Sequence, residues 1–245
     1  MCAAHKDQKA YGNFQRGVFY LAGLLILALG ITLNTKSGLG VSPIISVAFC
    51  SAQITETNFG DMTFALYAVF ILIELLLHLW MEYWASKDIK PHRLHGSLKK
   101  VLLLDILQLP LALIFSRFIN LFSSLIPEFD TDCQGTVFAG VPWRIFILLA
   151  AIVCTGVGAA MSLDMRLVPN PGDGIVQTLS DLTGKSMGLV KNIFDAVNIC
   201  ITLVIGCVFA GAVIGIGVGT VAAVLGVGRV VALFNRFFLK LDFHI

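Results

Sequence analysis

Six long apolar runs separated by short polar stretches set out the plan of this chain. They cover about residues 17–33, 62–84, 101–125, 144–161, 189–210 and 217–238. Each is close to the roughly 20 apolar residues that a helix needs to cross the hydrocarbon of a bilayer. Two shorter stretches interrupt the series, LGVSPIISVAFCSAQITETNFG from Leu39 to Gly60 and VPNPGDGIVQTLSDLTGKSMG from Val168 to Gly188. Each opens on a capping residue followed by proline, Ser42-Pro43 in one and Asn170-Pro171 in the other. Ser and Asn are favoured at the N-cap, and Pro at the first helical position, where its missing N–H would be an orphan anyway. Asp173 then falls in a first turn, where the helix dipole favours negative charge. The pattern predicts helices over about 42–54 and 170–183, both too short to span, with the first stretch closing at Gly60 and the second stopping at Thr183-Gly184.

The two short stretches are related by a shift of 128 residues. Arg16 and Arg144, Gly30 and Gly158, Pro43 and Pro171, and Gly60 and Gly188 all match at that shift without a gap. Apolar matches come cheaply in such a sequence, but Arg, Gly, Pro and Gly in the same order do not. This is the signature of an internal duplication, with repeats at approximately 16–125 and 144–238 inside one membrane domain, 1–245. Three spans per repeat is an odd number, so the second repeat would lie upside down relative to the first. The expected fold is an all-α membrane protein with about six transmembrane helices in two inverted three-span repeats, each with a short non-spanning helix. In such plans the half-helix N-termini meet near the midplane.

Composition agrees with the pattern. Of 245 residues 57% are hydrophobic and 13% charged, against about 25% charged in a soluble domain. The net charge of +2 says less than where the charges fall. The N-terminus, the 85–100 loop (Lys87, Lys90, Arg93, Lys99, Lys100) and the C-terminal end (Arg229, Arg236, Lys240) are basic, whereas the 127–142 loop carries Glu128, Asp130 and Asp132 and no Lys or Arg. Basic loops stay in the cytoplasm, so six spans put both termini inside and the acidic loop outside. Eight spans would put the 85–100 loop on the wrong side. The first apolar run lacks a small-x-small cleavage site and reads as an uncleaved span. The six cysteines have neither CxxC spacing nor a paired framework.

Several residues are candidates for chemistry. Asp173 is a dipole partner of its helix or a ligand for a cation or amine. Asp195 lies in the first third of span five, with Lys191, Asn192 and Asn198 nearby, and intramembrane carboxylates usually face a partner or a cavity. It reads either as a packed polar pair or as part of a site. Glu74, near the middle of span two, is neutral, paired with Arg117, or a proton carrier. Arg16 and Arg144 read first as snorkelling residues at the interface, second as salt-bridge partners within each repeat. Gly211, Gly215 and Gly219 are spaced as small-xxx-small, which suits close helix packing or a homo-oligomer face. His92 and His95 sit in the basic loop, where solvation is the simpler role. Gly184-Lys185-Ser186 imitates the end of a phosphate-binding loop, but position 179, where its first glycine belongs, is Leu. Neither a catalytic triad, a zinc spacing nor a phosphate loop emerges, so no enzyme, cofactor or metal is expected, and no nucleic-acid partner.

LGVSP, paired with the later NPGDGIVQTLSDLTGKSMG, resembles the repeated short-helix motif of the YczE/YitT-type bacterial integral membrane proteins. That motif runs Gly-x-x-Pro, an Asp-Gly pair, an apolar helix and a Gly-x-Ser-x-Gly-like exit. The tail GIGVGTVAAVLGVG resembles the same family's glycine-rich last segment. The likeness extends from Arg16 to about Phe238. It departs at Ile44-Ile45-Ser46, where the second repeat has Gly172-Asp173-Gly174, and at Arg229, where the pattern would have Pro. It implies a multi-pass protein of the bacterial inner membrane and assures no substrate. The function expected is transport of a small solute through a site between the two short helices, with a non-transporting scaffold or auxiliary protein as the alternative. Ser42, Pro43, Asn170, Pro171, Asp173, Gly174, Gln177, Asp195 and Asn198 would bind the solute, and Glu74 would carry a coupled proton. The mixture of positive helix ends and carboxylates suits a zwitterion, a polar neutral solute or a proton-coupled substrate better than a simple anion.

Overall fold

The computed structural model describes residues 13–85, 97–165 and 167–241. The basic loop over 86–96, with His92 and His95, lies outside the described residues. The described residues form eight α-helices: α1 (Asn13–Lys36), α2 (Pro43–Thr55), α3 (Phe59–Ala85), α4 (Leu98–Leu125), α5 (Val141–Asp164), α6 (Pro171–Thr183), α7 (Met187–Ile205) and α8 (Val218–Leu241). Helices α1, α3, α4, α5, α7 with its continuation to Ala210, and α8 are long and apolar enough to cross a membrane. The protein is an all-α, multi-pass integral membrane protein. At ~1.5 Å per residue, α2 and α6 are each about 20 Å long, short of the ~30 Å of hydrocarbon.

Local chemistry sets the ends of the short helices. Both start at a proline preceded by a residue in extended conformation, Ser42 (φ −61°, ψ 134°) and Asn170 (φ −64°, ψ 138°). Neither side chain makes the expected capping hydrogen bond. At α6 it is the Asn170 carbonyl that accepts from the Asp173 and Gly174 N–H groups, both at 2.8 Å. Both helices stop at a left-handed residue, Gly184 (φ 65°) after α6 and Glu56 (φ 53°) after α2. Gly60, which closes the first short stretch, lies beyond the short helix itself. It lies in the first turn of α3, where its N–H donates to Asn120 Oδ1 at 2.8 Å and an added Cβ would meet the Ser116 carbonyl of α4.

The bounds of α5 and α6 are those of α1 and α2 moved by 128 residues, and α7 begins 128 residues after α3. The packing pairs follow the same exchange: α2 lies on α7 and α6 on α3, α1 on α4 and α5 on α8, α2 on α3 and α6 on α7. The most extensive contact is between α1 and α5 themselves, which run antiparallel. An added Cβ at Gly30 would meet the Thr155 backbone N and the Ala151 carbonyl oxygen, and one at Gly158 would meet the Leu27 backbone N and the Gly23 carbonyl oxygen. These contacts are the same pair under the 128-residue exchange, so the two first helices meet face to face through small residues.

The two arginines extend this relation. Arg16, at the start of α1, donates to the Met165 carbonyl at 2.6 Å. Arg144, at the start of α5, donates to the Ser37 and Gly38 carbonyls at 2.8 and 2.7 Å and stands 3.7 Å from Asp130. The last carbonyls of a helix have no partner within it and favour a cation. Each arginine thus serves the C-terminal end of the other half's first helix. This corrects both sequence readings of them, free snorkelling and pairing within one repeat. The glycine stripe is corrected too. Gly211 (φ 64°) and Gly215 (φ 76°) lie in the non-helical link before α8. The Gly215 carbonyl accepts from Val41 N–H at 2.8 Å, and Gly219 N–H donates to the Leu39 carbonyl at 2.7 Å. Gly211 and Gly215 need left-handed backbone, which glycine adopts at least cost, and only Gly219 lies in α8, so the three do not form one helical face.

Candidate functional site

The starts of α2 and α6 meet. A Cβ added at Gly172 would lie 2.8 Å from Ile44 Cδ1 and 3.7 Å from the Tyr67 hydroxyl. Gly172 and Ile44 are themselves equivalent positions of the two halves. Tyr67 stands about 12 Å along an α3 some 40 Å long, so the meeting lies well inside the span. Asn170 Nδ2 donates to the Tyr67 hydroxyl at 3.4 Å, while Asn170 Oδ1 is buried without a hydrogen bond. The Tyr67 ring stacks on Phe115 at 6.0 Å between centroids, which holds the hydroxyl against α6.

Around this point the residues expected to bind a solute divide. Pro43, Asn170, Pro171 and Gly174 are buried, Ser42 and Asp173 half-buried. Asp195 and Asn198 are buried on α7. Lys191 and Asp173 lie near enough to Asp195 to act on its charge. Asn198 Nδ2 donates to its own helix, to the Phe194 carbonyl at 2.8 Å. Two expectations are corrected. Gln177 is exposed on the outer side of α6 and does not face the site, and Asn192 is exposed and does not join Asp195 and Asn198. Three-residue steps along a helix turn each side chain about 60° from the last, enough to carry Asn192 off the buried face.

Glu74 belongs to a second group that sequence reasoning missed. It does not pair with Arg117, which instead donates to Asp61 at 2.9 Å, in an exposed pair near the start of α3. Glu74 is enclosed by His78 on α3, Asp105 and Gln108 on α4, and Thr178 on α6, all at most 7% exposed. Gln108 Nε2 donates to Glu74 Oε2 at 3.1 Å. His78 Nδ1 and Asp105 Oδ2 are 2.7 Å apart. Thr178 Oγ1 lies 3.3 Å from Glu74 Oε1 and 3.2 Å from His78 Nε2. Gly174 makes room for this group: a Cβ there would be 2.9 Å from Glu74 Oε2 and 3.1 Å from Gln108 Nε2. The expectation of no metal-ligating set also meets a change here. Glu74, His78 and Asp105 bring ligand-type atoms within 4.8 Å of one another.

The signal for this group was present but divided. Glu74 and His78 are four residues apart and Asp105 and Gln108 three, so each pair shares a helix face. What joins the pairs is the antiparallel α3–α4 hairpin. Its register is also marked by Gly60 against Asn120 and Asp61 against Arg117. The equivalent place in the other half is occupied differently. There Thr202 stands where Glu74 does and Ser46 where Gly174 does, and their hydroxyls are 2.7 Å apart. One half carries charge, the other a pair of hydroxyls.

No curated protein and no solved structure matches the chain. A model described as a family of unknown function, DUF6198, matches residues 14–236, and the chain belongs to that family.

Proposed function

We propose that this protein is a permease for a small polar solute of a bacterial inner membrane, built from two inverted halves with both termini in the cytoplasm. The observation that carries this reading is the meeting of the two short helices, Ile44 against Gly172, in an interior that buries polar and acidic side chains. Non-spanning helices whose starts meet inside the membrane are the plan of many secondary transporters. The antiparallel run of α1 against α5, with its exchanged arginine contacts, supports the inversion. The acidic 127–142 loop is held at the end of α1 by Lys36–Glu128 at 3.5 Å and at the start of α5 by Arg144–Asp130. That is the end opposite Ala85 and Leu98, where α3 stops and α4 begins. Kinship with the YczE/YitT-type proteins is part of the same proposal and rests on the paired short-helix motifs alone.

The alternative, a scaffold without a solute, fits an apolar interior. A core that buries Asp195, Asn198, Asn170, Glu74 and Asp105 favours transport, because ionisable groups inside a membrane are expensive and mark pathways. Asp173 and Asp195 beside Lys191 suit a zwitterion with an amino group and a carboxylate. The test is uptake of a defined mixture of amino acids and betaines into proteoliposomes, read by mass spectrometry. At least one zwitterion should accumulate above protein-free vesicles, and Asp195→Asn should cut that uptake at least tenfold with folding intact. Uptake equal to that of empty vesicles for every solute, together with no thermal stabilisation by any of them, overturns the permease reading.

A further inference from the structure

We infer that Glu74, His78 and Asp105 form a binding site for a divalent transition-metal cation, completed by the carbonyl oxygen of Gln108. This goes beyond the transport reading and does not depend on it. Four observations carry it.

The first is the donor set. A carboxylate and an imidazole one turn apart on α3 face a carboxylate and a carboxamide on α4, with all four side chains buried. Glu74, His78 and Asp105 place ligand atoms within 4.8 Å of one another. A cation bonded at about 2.1 Å holds opposite ligands about 4.2 Å apart, so small side-chain rotations close the shell. The second is Gln108. Its amide nitrogen is spent on Glu74, while its Oε1 is fully buried without a hydrogen bond. A buried acceptor left without a partner is costly, and a cation held by Glu74 would satisfy it.

The third is charge. Among the described residues, the side chains that hydrogen-bond to Glu74, His78 and Asp105 are one another's and those of Gln108 and Thr178, with neither Lys nor Arg among them. A divalent cation would supply the positive charge that this buried acidic group lacks. The fourth is selectivity. Ca²⁺ and Mg²⁺ are bound through oxygen, whereas an imidazole nitrogen among carboxylates suits Mn, Fe, Co, Ni or Zn. Thr178 reaches both Glu74 and His78 from α6. An occupied site would therefore pin that short helix to the α3–α4 hairpin.

The test uses tag-free, full-length protein in detergent, stripped with chelator and reloaded with Mn²⁺, Co²⁺ or Zn²⁺. Mass-spectrometric metal analysis should find about one ion per chain for at least one of them. At a hundredfold excess over Kd that metal should raise the midpoint of thermal unfolding by about 5–10 °C. Glu74→Gln, His78→Gln and Asp105→Asn should each weaken binding tenfold or more, while Asp61→Asn, in the exposed pair with Arg117, should not. The inference is overturned if the wild type retains less than about a tenth of an ion and gains no stability. It is equally overturned if Glu74→Gln and Asp105→Asn keep their metal. Where those variants do not fold, X-ray absorption on the wild type loaded with the metal it retains decides, since absence of a histidine nitrogen among the ligands sinks the site. Metal without uptake of any solute would remove the permease reading alone, and uptake without metal would remove this one alone.

Discussion

Glycines bring α1 and α5 into close backbone contact, and that contact gives a direct test of the packing. Substituting Gly158→Val adds a branched side chain where even a single Cβ would meet the Leu27 backbone N and lie 2.7 Å from both Gly23 O and Leu27 Cα. These are backbone atoms of another helix, and no rotamer change moves them, so α1 and α5 must part. Overpacking in a well-packed interior costs about 1–3 kcal/mol, and rigid neighbours put this substitution at about 3 kcal/mol. Helix propensity offsets only a few tenths of that, since Val gains little over Gly. For a chain of this size about 2–4 °C accompany each kcal/mol, so the midpoint should fall by about 6–12 °C. Thermal unfolding of purified protein, followed by cysteine labelling or intrinsic fluorescence, reads the shift. Gly188→Val is the control, because nothing lies within 4 Å of a Cβ there. Gly30→Val should match Gly158→Val, since it makes the exchanged contact. The double variant should cost less than the sum, because the first substitution already separates the helices. If Gly158→Val unfolds within about 1 °C of Gly188→Val, the two helices do not pack as described.

Two further predictions rest on the exchange of halves. Arg144→Leu should destabilise more than Arg16→Leu, by about 2–3 against about 1–2 kcal/mol, because Arg144 serves two carbonyls and stands near Asp130 while Arg16 serves one carbonyl; the reverse order in thermal unfolding would count against it. A double-mutant cycle of Ser46→Ala and Thr202→Val should give a coupling of about 1 kcal/mol from the 2.7 Å hydroxyl pair, and coupling below about 0.3 kcal/mol would show that the hydroxyls act independently.

The helices themselves were legible in the sequence. Apolar length against bilayer thickness located all six spans to within about three residues for most ends, and Ser42-Pro43 and Asn170-Pro171 marked the short helices. These are local properties: a proline at a helix start or a run of apolar residues acts whatever surrounds it. The 128-residue shift was likewise visible, because identical residues at fixed spacing need no third dimension. What those equivalent residues do was not. Arg16 and Arg144 looked like interfacial anchors until α1 and α5 were laid antiparallel, which brings each to the other's helix end. Gln177 and Thr178 are neighbours in sequence, yet a 100° turn along α6 sends one outward and the other between Glu74 and His78. The buried group of Glu74, His78, Asp105, Gln108 and Thr178 is drawn from three helices, and Thr178 is 104 residues from Glu74. Pattern and composition determine which segments lie in the membrane. Which side chains share an interior point depends on helix rotation and hairpin register, and those are set by packing between segments far apart in the chain.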